Sequence, residues 1–525
     1  MIIVTPMGNE IQSIADIVRV HGAGRPDEVA LVQDDRSLTW AELYERAQKT
    51  ANLLASLGVG PEDRVAMLEK NGIEHFEVFF GAALLNAVCV DVNWRLAPPE
   101  VEYIVNDAGA KVFVVGEDFV PVLDAIEPNL TSVKRTLVIG RDYAEAVDAA
   151  PTGDPGEQSA LDDVAFQLYS SGTTGRPKGV LLSNSNIVAL VPQSVGTVQL
   201  DETSVNLVAM PLFHIGGGGW ATAGMWMGCK SIIVRDLDPA KLVQLFAEEG
   251  ITNAFIVPAV LQFMLGVPGV GDQDYPALRS ILYGASPISE AVLAGAMATF
   301  KCDFIQAYGL TETTGTIVNL RAEDHQLEGP RRHLLRSCGV PVTGTELRIV
   351  DTDTHRECEV GEVGEIWARG PQIMKGYWNM PEETAASITD GWFHTGDAGY
   401  LDAEGYLYIH DRVKDMIVSG GENVYPAEVE NVLMGVPGIA DVAVIGVPHD
   451  RWGETAKAMI VRAPGEVGAA LTEQKVIDHA RQHLAKFKCP TSVDWVDALP
   501  RNPSGKILKK ELRAPYWEGR ERNVN

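Results

Sequence analysis

The sequence predicts an α/β protein in which a large N-terminal domain of helix-covered sheets is followed by a small α+β domain. Two observations support this fold class. Strand-like and helix-like segments alternate over the first few hundred residues, which is typical of parallel sheets covered by helices. After about residue 400 the pattern changes to a shorter mixed set, and the length of 525 residues exceeds the roughly 100–200 residues of one domain.

The alternation is clear in the first quarter of the chain. In LTWAELYERAQKTANLL, Thr39 and Glu42 have the spacing of a helix capping box. The apolar run Arg64–Leu68 is typical of a buried strand, and Ile73–Ala87 has helical spacing. Val88–Val92 is again strand-like. We therefore expect strand–helix–strand units with parallel pairing.

The C-terminal part has its own set of elements. YLYIHDRVKDMIV, VAVIGV and AKAMIV are strand-like, and TEQKVIDHARQHLAKF is helical. In SGGENVYPAEVENVL, Pro426 suits the first turn of a helix. We expect a boundary near Asp411–Lys414, which gives an N-terminal domain of residues 1–411 and a C-terminal domain of residues 412–525, a typical domain size.

Composition excludes several classes of function. The formal charge is −28, from 71 acidic and 43 basic residues, and such a surface repels nucleic acids and anionic lipids. The six cysteines are scattered without a C-x-x-C pair, which argues against a zinc site or a disulfide framework. No secretory leader and no run of about 18 apolar residues is found. We expect a cytoplasmic protein with no nucleic-acid partner and no integral membrane segment.

The stretch YSSGTTGRPKG, Tyr169–Gly179, follows a predicted strand at Val164–Leu168. Glycine-rich loops let backbone N–H groups converge on phosphate oxygens, but the same residues also form ordinary surface turns. The stretch is not a Walker loop, because Lys178 is followed by Gly179 and not by a hydroxyl residue. No G-x-G-x-x-G with an acidic partner follows a strand, which argues against an oxidoreductase. Residue types alone leave the phosphate loop and the surface turn open.

Four further motifs occur in order along the chain: QAYGLTETTG (306–315), GWFHTGDAGYLD (391–402), DRVKDMIVSGGENVYPAEVE (411–430) and PRNPSGKILKKELR (500–513). Together with the glycine-rich stretch they resemble the phosphate, adenine, ribose, hinge and catalytic-lysine segments of the adenylate-forming superfamily. That superfamily includes acyl-CoA synthetases, adenylation domains of peptide synthetases, and firefly-type luciferases. The resemblance implies a two-step reaction in which ATP activates a carboxylate as an acyl-adenylate and a thiol then displaces AMP. It also implies ATP, Mg²⁺ and coenzyme A as ligands, and a small domain that is mobile between the two steps.

The resemblance assigns residues to the nucleotide and the metal. Glu312 takes the magnesium position, with Thr174 as a further metal candidate, and protein carboxylates suit Mg²⁺ that bridges phosphates. Asp397 follows Thr395–Gly396, where we expect the end of a turn, and it matches a carboxylate that accepts from the ribose hydroxyls. Arg412 matches an arginine that reaches ribose and phosphate. The alternatives are a solvated glutamate and a surface Asp–Arg pair. The ATP- or AMP-binding positions are Ser170, Ser171, Gly172, Thr173, Thr174, Gly175, Lys178, Gly284, Ala285, Ser286, Tyr308, Gly309, Asp397 and Arg412.

Two of these segments have alternatives that the residues leave open. Tyr308 is expected to stack on the purine, although a core aromatic residue would look the same. Thr311 is expected to donate to the α-phosphate. YGASPIS, which contains Gly284, Ala285 and Ser286, is similar to the segment along the adenine, but a strand-to-helix turn with a serine cap explains the same residues.

The C-terminal motif contains the catalytic candidate Lys506, whose charge would stabilise in-line attack on the α-phosphate. Lys509 and Lys510 are the nearby alternatives, and a lysine cluster of this kind is usually a solvated face. The hinge position of the family falls on Lys414, where many members have Asp; backbone freedom matters there more than the side chain. Ser419, Gly420 and Gly421 are expected to line the coenzyme A tunnel, or to form a simple turn.

MPLFHIGGGGW, residues 210–220, resembles the acyl-pocket segment. His214 is expected to border the acid's carboxylate as a catalytic residue, and a structural histidine is the alternative. Gly217 and Gly218 leave room for an acyl group or permit tight packing. Trp220 is expected to form part of the pocket wall.

The apolar pocket segment favours a hydrophobic acid, a medium- or long-chain fatty acid, with an aryl or phenylpropanoid acid as the rival. No carrier-protein segment is recognisable in the chain, so we expect a stand-alone ligase that uses free coenzyme A. A homodimer is compatible with the sequence. A catalytically silent binding relative is the other alternative, and the presence of Lys506, Glu312 and Asp397 argues against it.

Overall fold

A computed structural model describes residues 11–171, 177–286, 288–352, 354–412, 415–419, 422–449, 452–501 and 507–518. Its α-helices are α1 (Ile14–Gly24), α2 (Trp40–Ser56), α3 (Ile73–Leu84), α4 (Pro98–Ala108), α5 (Val120–Ile126), α6 (Tyr143–Ala149), α7 (Asn184–Thr197), α8 (Ile215–Trp226), α9 (Pro239–Glu248), α10 (Pro258–Leu265), α11 (Glu290–Phe300), α12 (Pro381–Ser387), α13 (Pro426–Leu433), α14 (Glu466–Ala469), α15 (Glu473–His483) and α16 (Lys509–Arg513).

Its strands are β1 (Val29–Gln33), β2 (Arg36–Thr39), β3 (Arg64–Leu68), β4 (Val88–Asp91), β5 (Val112–Gly116), β6 (Arg135–Ile139), β7 (Val164–Ser171), β8 (Pro177–Ser183), β9 (Val205–Val208), β10 (Lys230–Ile233), β11 (Asn253–Phe255), β12 (Ser280–Gly284), β13 (Asp303–Tyr308), β14 (Val318–Leu320), β15 (Val340–Pro341), β16 (Glu346–Val350), β17 (Gly364–Arg369), β18 (Gly376–Tyr377), β19 (Ile388–Thr389), β20 (Trp392–Leu401), β21 (Leu407–Arg412), β22 (Ile417–Ser419), β23 (Glu422–Val424), β24 (Ile439–His449), β25 (Gly453–Arg462) and β26 (Ser492–Trp495). The predicted site residues Gly172, Thr173, Thr174, Gly175, Lys414, Gly420, Gly421 and Lys506 lie outside the described residues.

A nine-stranded sheet has the order β15-β14-β13-β12-β11-β9-β10-β1-β2. Its central pairs, from β1 through β10, β9, β11 and β12 to β13, are parallel. The carboxyl ends of parallel strands meet at one edge, where open α/β sheets bind their ligands. The segments that follow β9, β12 and β13 contain the predicted acyl, adenine and magnesium residues, so the topology collects them at this edge.

A four-stranded sheet of order β4-β3-β5-β6 is parallel throughout. All residues of β3, β4 and β5 are buried, as expected for strands covered by helices on both faces. The predicted capping box of α2 is present, with Glu42 N–H donating to Thr39 Oγ1 over 3.2 Å and Thr39 N–H donating to Glu42 Oε2 over 2.8 Å.

Two antiparallel sheets complete the large part of the chain. One has the order β18-β8-β7 and flanks the glycine-rich stretch, and the other has the order β16-β17-β20-β19 with β21 beside β20. We expected Asp397 at the end of a turn, and this expectation is wrong. Asp397 lies inside β20, which accommodates the positive φ of 69° at Gly396 within its length.

The C-terminal elements form a separate sheet of order β23-β22-β25-β24, with β26 beside β25. Its apolar core includes Ile417, Val429, Val444, Ile460 and Val476, and this core is distinct from the large one of the N-terminal part. The predicted fold class, a large part with helix-covered sheets and a small α+β part, is confirmed. Within the described ranges, no helix is long and apolar enough to cross a membrane.

Candidate active site

The adenine candidates lie where β12 and β13 end side by side. Gly284 pairs with Ala307 in the sheet, and a Cβ at Gly284 would lie 2.3 Å from Ala307 O. A Cβ at Gly309 would likewise lie 2.5 Å from Gly315 O, so both glycines permit close backbone approach. Ala285, with φ 65°, is exposed directly after β12.

The turn after Gly284 also has the serine cap that the alternative interpretation predicts. Ser289 precedes α11, and its hydroxyl accepts from Val292 N–H over 3.3 Å. The cap is therefore made by Ser289, while Ser286 lies three residues earlier and is half-exposed.

Glu312 lies in a 3₁₀ turn, Thr311–Thr313, and is 9% exposed. Its Oε1 atom accepts hydrogen bonds from Ser170 Oγ and from the Tyr377 hydroxyl, each over 3.1 Å. Ser170 belongs to β7 at the start of the glycine-rich stretch, and Tyr377 belongs to β18. The carboxylate therefore joins three segments that lie far apart in the sequence, and Thr311 stays partly exposed beside it.

The surroundings of Glu312 fit a magnesium ion that shares its ligands with phosphates. Mg²⁺ is usually bound by one or two protein carboxylates together with substrate oxygens. Among the described residues there is no group of three or more acidic, histidine or cysteine side chains that could hold a metal without substrate. Burial, followed by the charge of Glu312, raises the pKa of Tyr377, so the phenol remains a hydrogen-bond donor at neutral pH.

Tyr308 and Asp397 meet at the same edge. The Tyr308 hydroxyl donates to Asp397 Oδ2 over 2.8 Å, which connects the end of β13 to β20. Asp397 is 6% exposed and pairs with Arg412 across β20 and β21. For Arg412 and Ser171 the structure describes the backbone alone. A carboxylate with a fixed orientation can accept hydrogen bonds from two vicinal hydroxyls.

Lys178 has a carboxylate partner close to Tyr377. Its ammonium group forms an ion pair with Glu383 of α12 and lies 5.0 Å from the centroid of the Tyr377 ring. The Lys178 side chain is 8% exposed, whereas that of Glu383 is 44% exposed. The structure thus places a buried cation beside the Glu312 cluster with a carboxylate as its partner.

The start of α8 has an accessible side and a buried side. His214, Gly216 and Gly219 are partly exposed, whereas Gly217 and Gly218 are buried. A Cβ at Gly217 would lie 2.1 Å from Pro211 O, and one at Gly218 would lie 2.8 Å from Leu212 O. Close packing against backbone therefore explains Gly217 and Gly218, which is the second of the two predicted alternatives.

Trp220 lies on the same buried side. Its side chain is 6% exposed, and its indole N–H donates to Leu207 O over 3.0 Å. The accessible side adjoins apolar side chains instead: a Cβ at Gly216 would lie 2.8 Å from Phe255, and one at Gly219 would lie 3.4 Å from Ile215. Gly216 and Gly219, which the sequence reasoning did not select, face the open side of this segment.

Ser419 is the one described residue of the predicted coenzyme A segment. It ends β22, is 5% exposed, and pairs with Gly453 of β25.

Sequence reasoning also missed a half-buried polar group that contacts Tyr169, the first residue of the glycine-rich stretch. The Tyr169 hydroxyl donates to Asp107 Oδ2 over 2.6 Å, and the Trp378 indole N–H donates to Asp107 O over 2.9 Å. The Arg64 guanidinium lies 3.7 Å from the Trp378 ring centroid. These contacts anchor β7 and the end of β18. In the sequence, the aromatic pair Tyr377–Trp378 in KGYWN was the only sign of these contacts, and it belongs to no motif with a defined spacing.

The chain is similar to known proteins over nearly its whole length. The AMP-binding enzyme family matches residues 18–378, and its C-terminal domain matches residues 428–506. The fatty acid–[acyl-carrier-protein] ligase ScoC of Streptomyces coeruleorubidus is 39% identical over 522 residues, 98% of this chain and 99% of that protein. The long-chain-fatty-acid–CoA ligase FadD13 of Mycobacterium tuberculosis is 38% identical over 484 residues, 92% of this chain and 94% of that protein.

A solved structure of the anthranilate CoA ligase AuaEII in complex with anthranoyl-AMP has a TM-score of 0.88 at 27% identity. The match covers 97% of this chain and 98% of that chain. The family match extends over more than half of the sequence and includes the glycine-rich stretch and the Glu312 segment. The chain therefore belongs to the AMP-binding enzyme family of the adenylate-forming superfamily.

Proposed function

We propose that this chain is an acid–thiol ligase that activates a hydrophobic carboxylic acid with ATP and transfers the acyl group to coenzyme A. In the first step a carboxylate oxygen of the acid attacks the α-phosphorus of ATP and pyrophosphate leaves. In the second step the thiolate of coenzyme A attacks the acyl carbon and AMP leaves. The observation that carries the proposal is that Glu312, bonded to Ser170, lies at the same sheet edge as the Tyr308–Asp397 pair.

Each residue has a task that its chemistry suits. Asp397 accepts hydrogen bonds from the ribose hydroxyls, and Tyr308 keeps that carboxylate in place. Thr311 donates to the α-phosphate. Lys506 supplies a cation where negative charge increases around that phosphate during the attack. Glu312 would hold Mg²⁺, whose charge lowers the repulsion between the phosphates and the incoming carboxylate. Rotation about Lys414 separates the two steps.

The acid is proposed to be a medium- or long-chain fatty acid. The accessible side of α8 adjoins Ile215 and Phe255, which suits an apolar chain. The names of ScoC and FadD13 refer to fatty acids. An aryl acid is the second candidate, because the anthranilate ligase shares the fold over nearly the whole chain. A carrier protein is the second candidate for the acceptor, because ScoC is named for that acceptor.

Product analysis tests this proposal. The purified protein would be incubated with ATP, Mg²⁺ and a panel of fatty, cinnamic and benzoic acids, with coenzyme A, with a phosphopantetheine-loaded carrier protein, or with neither. We expect AMP and a fatty acyl-CoA by mass spectrometry. An aryl-CoA, or acyl transfer only to the carrier protein, would favour the second candidates. A Glu312→Gln variant prepared in parallel controls for contaminating ligases, and absence of AMP with every acid would contradict the proposal.

A further inference from the structure

The side chain of Asn71 forms hydrogen bonds with the backbone on both sides of Pro211. Asn71 Nδ2 donates to Met210 O over 3.0 Å, and Leu212 N–H donates to Asn71 Oδ1 over 3.1 Å. Asn71 is 5% exposed and lies between β3 and α3, in the part of the chain built on the four-stranded sheet. Both ends of its amide are thus used to hold a backbone segment about 140 residues away in the sequence.

The held segment leads directly to His214. Pro211 O accepts a hydrogen bond from His214 N–H over 3.2 Å, and His214 O accepts one from Gly218 N–H over 2.8 Å. A Cβ at Gly217 would lie 2.1 Å from Pro211 O, so the same carbonyl also packs against the first turn of α8. Any shift of Pro211 would therefore move His214 and the start of α8 together.

Met210 and Leu212 are 3% and 4% exposed, so water has little access to the backbone groups that Asn71 binds. A buried carbonyl or N–H that loses its partner is unfavourable, and the segment would rearrange to satisfy these groups. His214 itself is partly exposed, whereas its neighbours Phe213 and Ile215 are buried. Asn71 thus holds the backbone from which the His214 side chain extends.

We propose that Asn71 is a positioning residue for the acid: it fixes Met210–Leu212 so that His214 meets the carboxylate. This inference rests on the proposed function. Asn71 acts through His214 and contacts no substrate itself.

A purely structural asparagine would give a different set of results, and the chain contains a matched example. Asn253 is fully buried and donates to Val198 O over 2.7 Å and to Ser280 Oγ over 3.1 Å. Asn253 and Ser280 are the first residues of β11 and β12, at the edge opposite to the site. Removing Asn253 should therefore destabilise the protein without moving His214.

The experiment compares Asn71→Leu and Asn253→Leu, each in the wild-type and in the His214→Ala background. The rate of pyrophosphate release gives KM for the acid and for ATP, and calorimetry gives Tm. We expect Asn71→Leu to raise KM for the acid about tenfold, with KM for ATP changed by less than about twofold. Its effect should be much smaller in the His214→Ala background, because the imidazole that it positions is already absent. Asn253→Leu should lower Tm, with an unchanged KM for the acid in both backgrounds.

Asn71→Asp keeps an acceptor for Leu212 N–H but places a carboxylate oxygen against Met210 O in a buried site, so it should also raise KM for the acid. It also serves as the test variant if Asn71→Leu does not fold. An unchanged KM for the acid, or equal effects of the Asn71 change with and without His214, would overturn the inference. Absence of AMP formation by the wild-type protein with every acid would instead overturn the proposed function.

Discussion

The Tyr308 hydroxyl donates a hydrogen bond to Asp397 Oδ2 over 2.8 Å and thereby joins the nine-stranded sheet to β20 at the candidate nucleotide site. Tyr308 ends β13 and is half-buried, and Asp397 is 6% exposed, so the carboxylate has little contact with water. Two residues that the sequence separates by about ninety positions are thus oriented by each other.

Removing this bond should weaken ATP binding. A hydrogen bond to a charged group is worth about 1.5 kcal/mol or more, so Tyr308→Phe should raise the Kd for ATP roughly tenfold. Asp397→Ala should have a larger effect, since it removes the proposed ribose contact itself. Calorimetric titration with ATP measures both. In the control Tyr275→Phe, whose phenol donates to Val270 O over 2.8 Å, ATP affinity should not change. Unaltered ATP affinity of Tyr308→Phe would contradict the role of the pair.

The ion pair between Lys178 and Glu383 leads to a prediction about ATP-dependent stability. If the phosphates of ATP bind Lys178, they compete with Glu383 for a largely buried ammonium group. Glu383→Gln should lower the stability of the free protein by about 1 kcal/mol, because Glu383 is partly screened by solvent. It should also enlarge the increase in Tm caused by ATP.

Thermal unfolding with and without ATP measures this competition. Asp162→Asn is the matched control, because it removes the exposed partner of Lys375 at 2.8 Å without affecting Lys178. Equal ATP-induced shifts in the wild-type protein and in Glu383→Gln would show that Lys178 does not bind the phosphates.

The two half-reactions should respond differently to the loss of Lys506. Lys506→Ala should slow adenylate formation by about 10²-fold or more, because it removes the charge that we propose to stabilise the transition state. Thioester formation from supplied acyl-adenylate should change little. Lys510→Ala removes an exposed cation of α16 and should leave both steps intact. Rapid-quench measurement of each step is the test, and an equal loss of both would exclude the assigned role of Lys506.

Stability should decrease on acidification partly because of His325. This side chain is 6% exposed, its Nδ1 donates to Arg321 O over 2.8 Å, and its Nε2 accepts from the Tyr283 hydroxyl over 2.9 Å. Burial lowers the pKa of His325, so the unfolded chain binds the proton more readily than the folded one. The free energy of unfolding therefore falls as pH drops below the ordinary histidine pKa of about 6.5, by at most about 1.4 kcal/mol per pH unit.

Denaturant unfolding at neutral and mildly acidic pH checks this sign. His325→Gln should show a shallower decrease of stability on acidification than the wild-type protein. The exposed His333, whose ring nitrogen contacts Pro330 O over 2.9 Å, provides the control variant His333→Gln, which should keep the wild-type slope. A steeper slope in His325→Gln would mean that the sign is wrong.

Residue patterns correctly predicted those helix and strand features that depend on residues close together in the sequence. The strand Arg64–Leu68 has the bounds of β3, and the capping box at Thr39 forms as its spacing requires. The expectation of a turn at Asp397 was wrong, because β17 and β21 pair with β20 on both sides and hold Gly396 within a strand. Pairing with distant strands is a non-local interaction, and a dipeptide such as Thr-Gly gives no information about it.

The sequence by itself determined the family and the chemical groups of the candidate site, because both depend on residue types in a fixed order. The motifs that can be read along the chain contain Ser170, Tyr308, Glu312 and Asp397. Only the tertiary structure decided which groups meet. Tyr377 shares an oxygen of Glu312 with Ser170, Glu383 pairs with Lys178, and Gly216 and Gly219 take the open side of α8. These outcomes depend on side-chain packing between segments far apart in the chain, and residue spacing contains no information about such contacts.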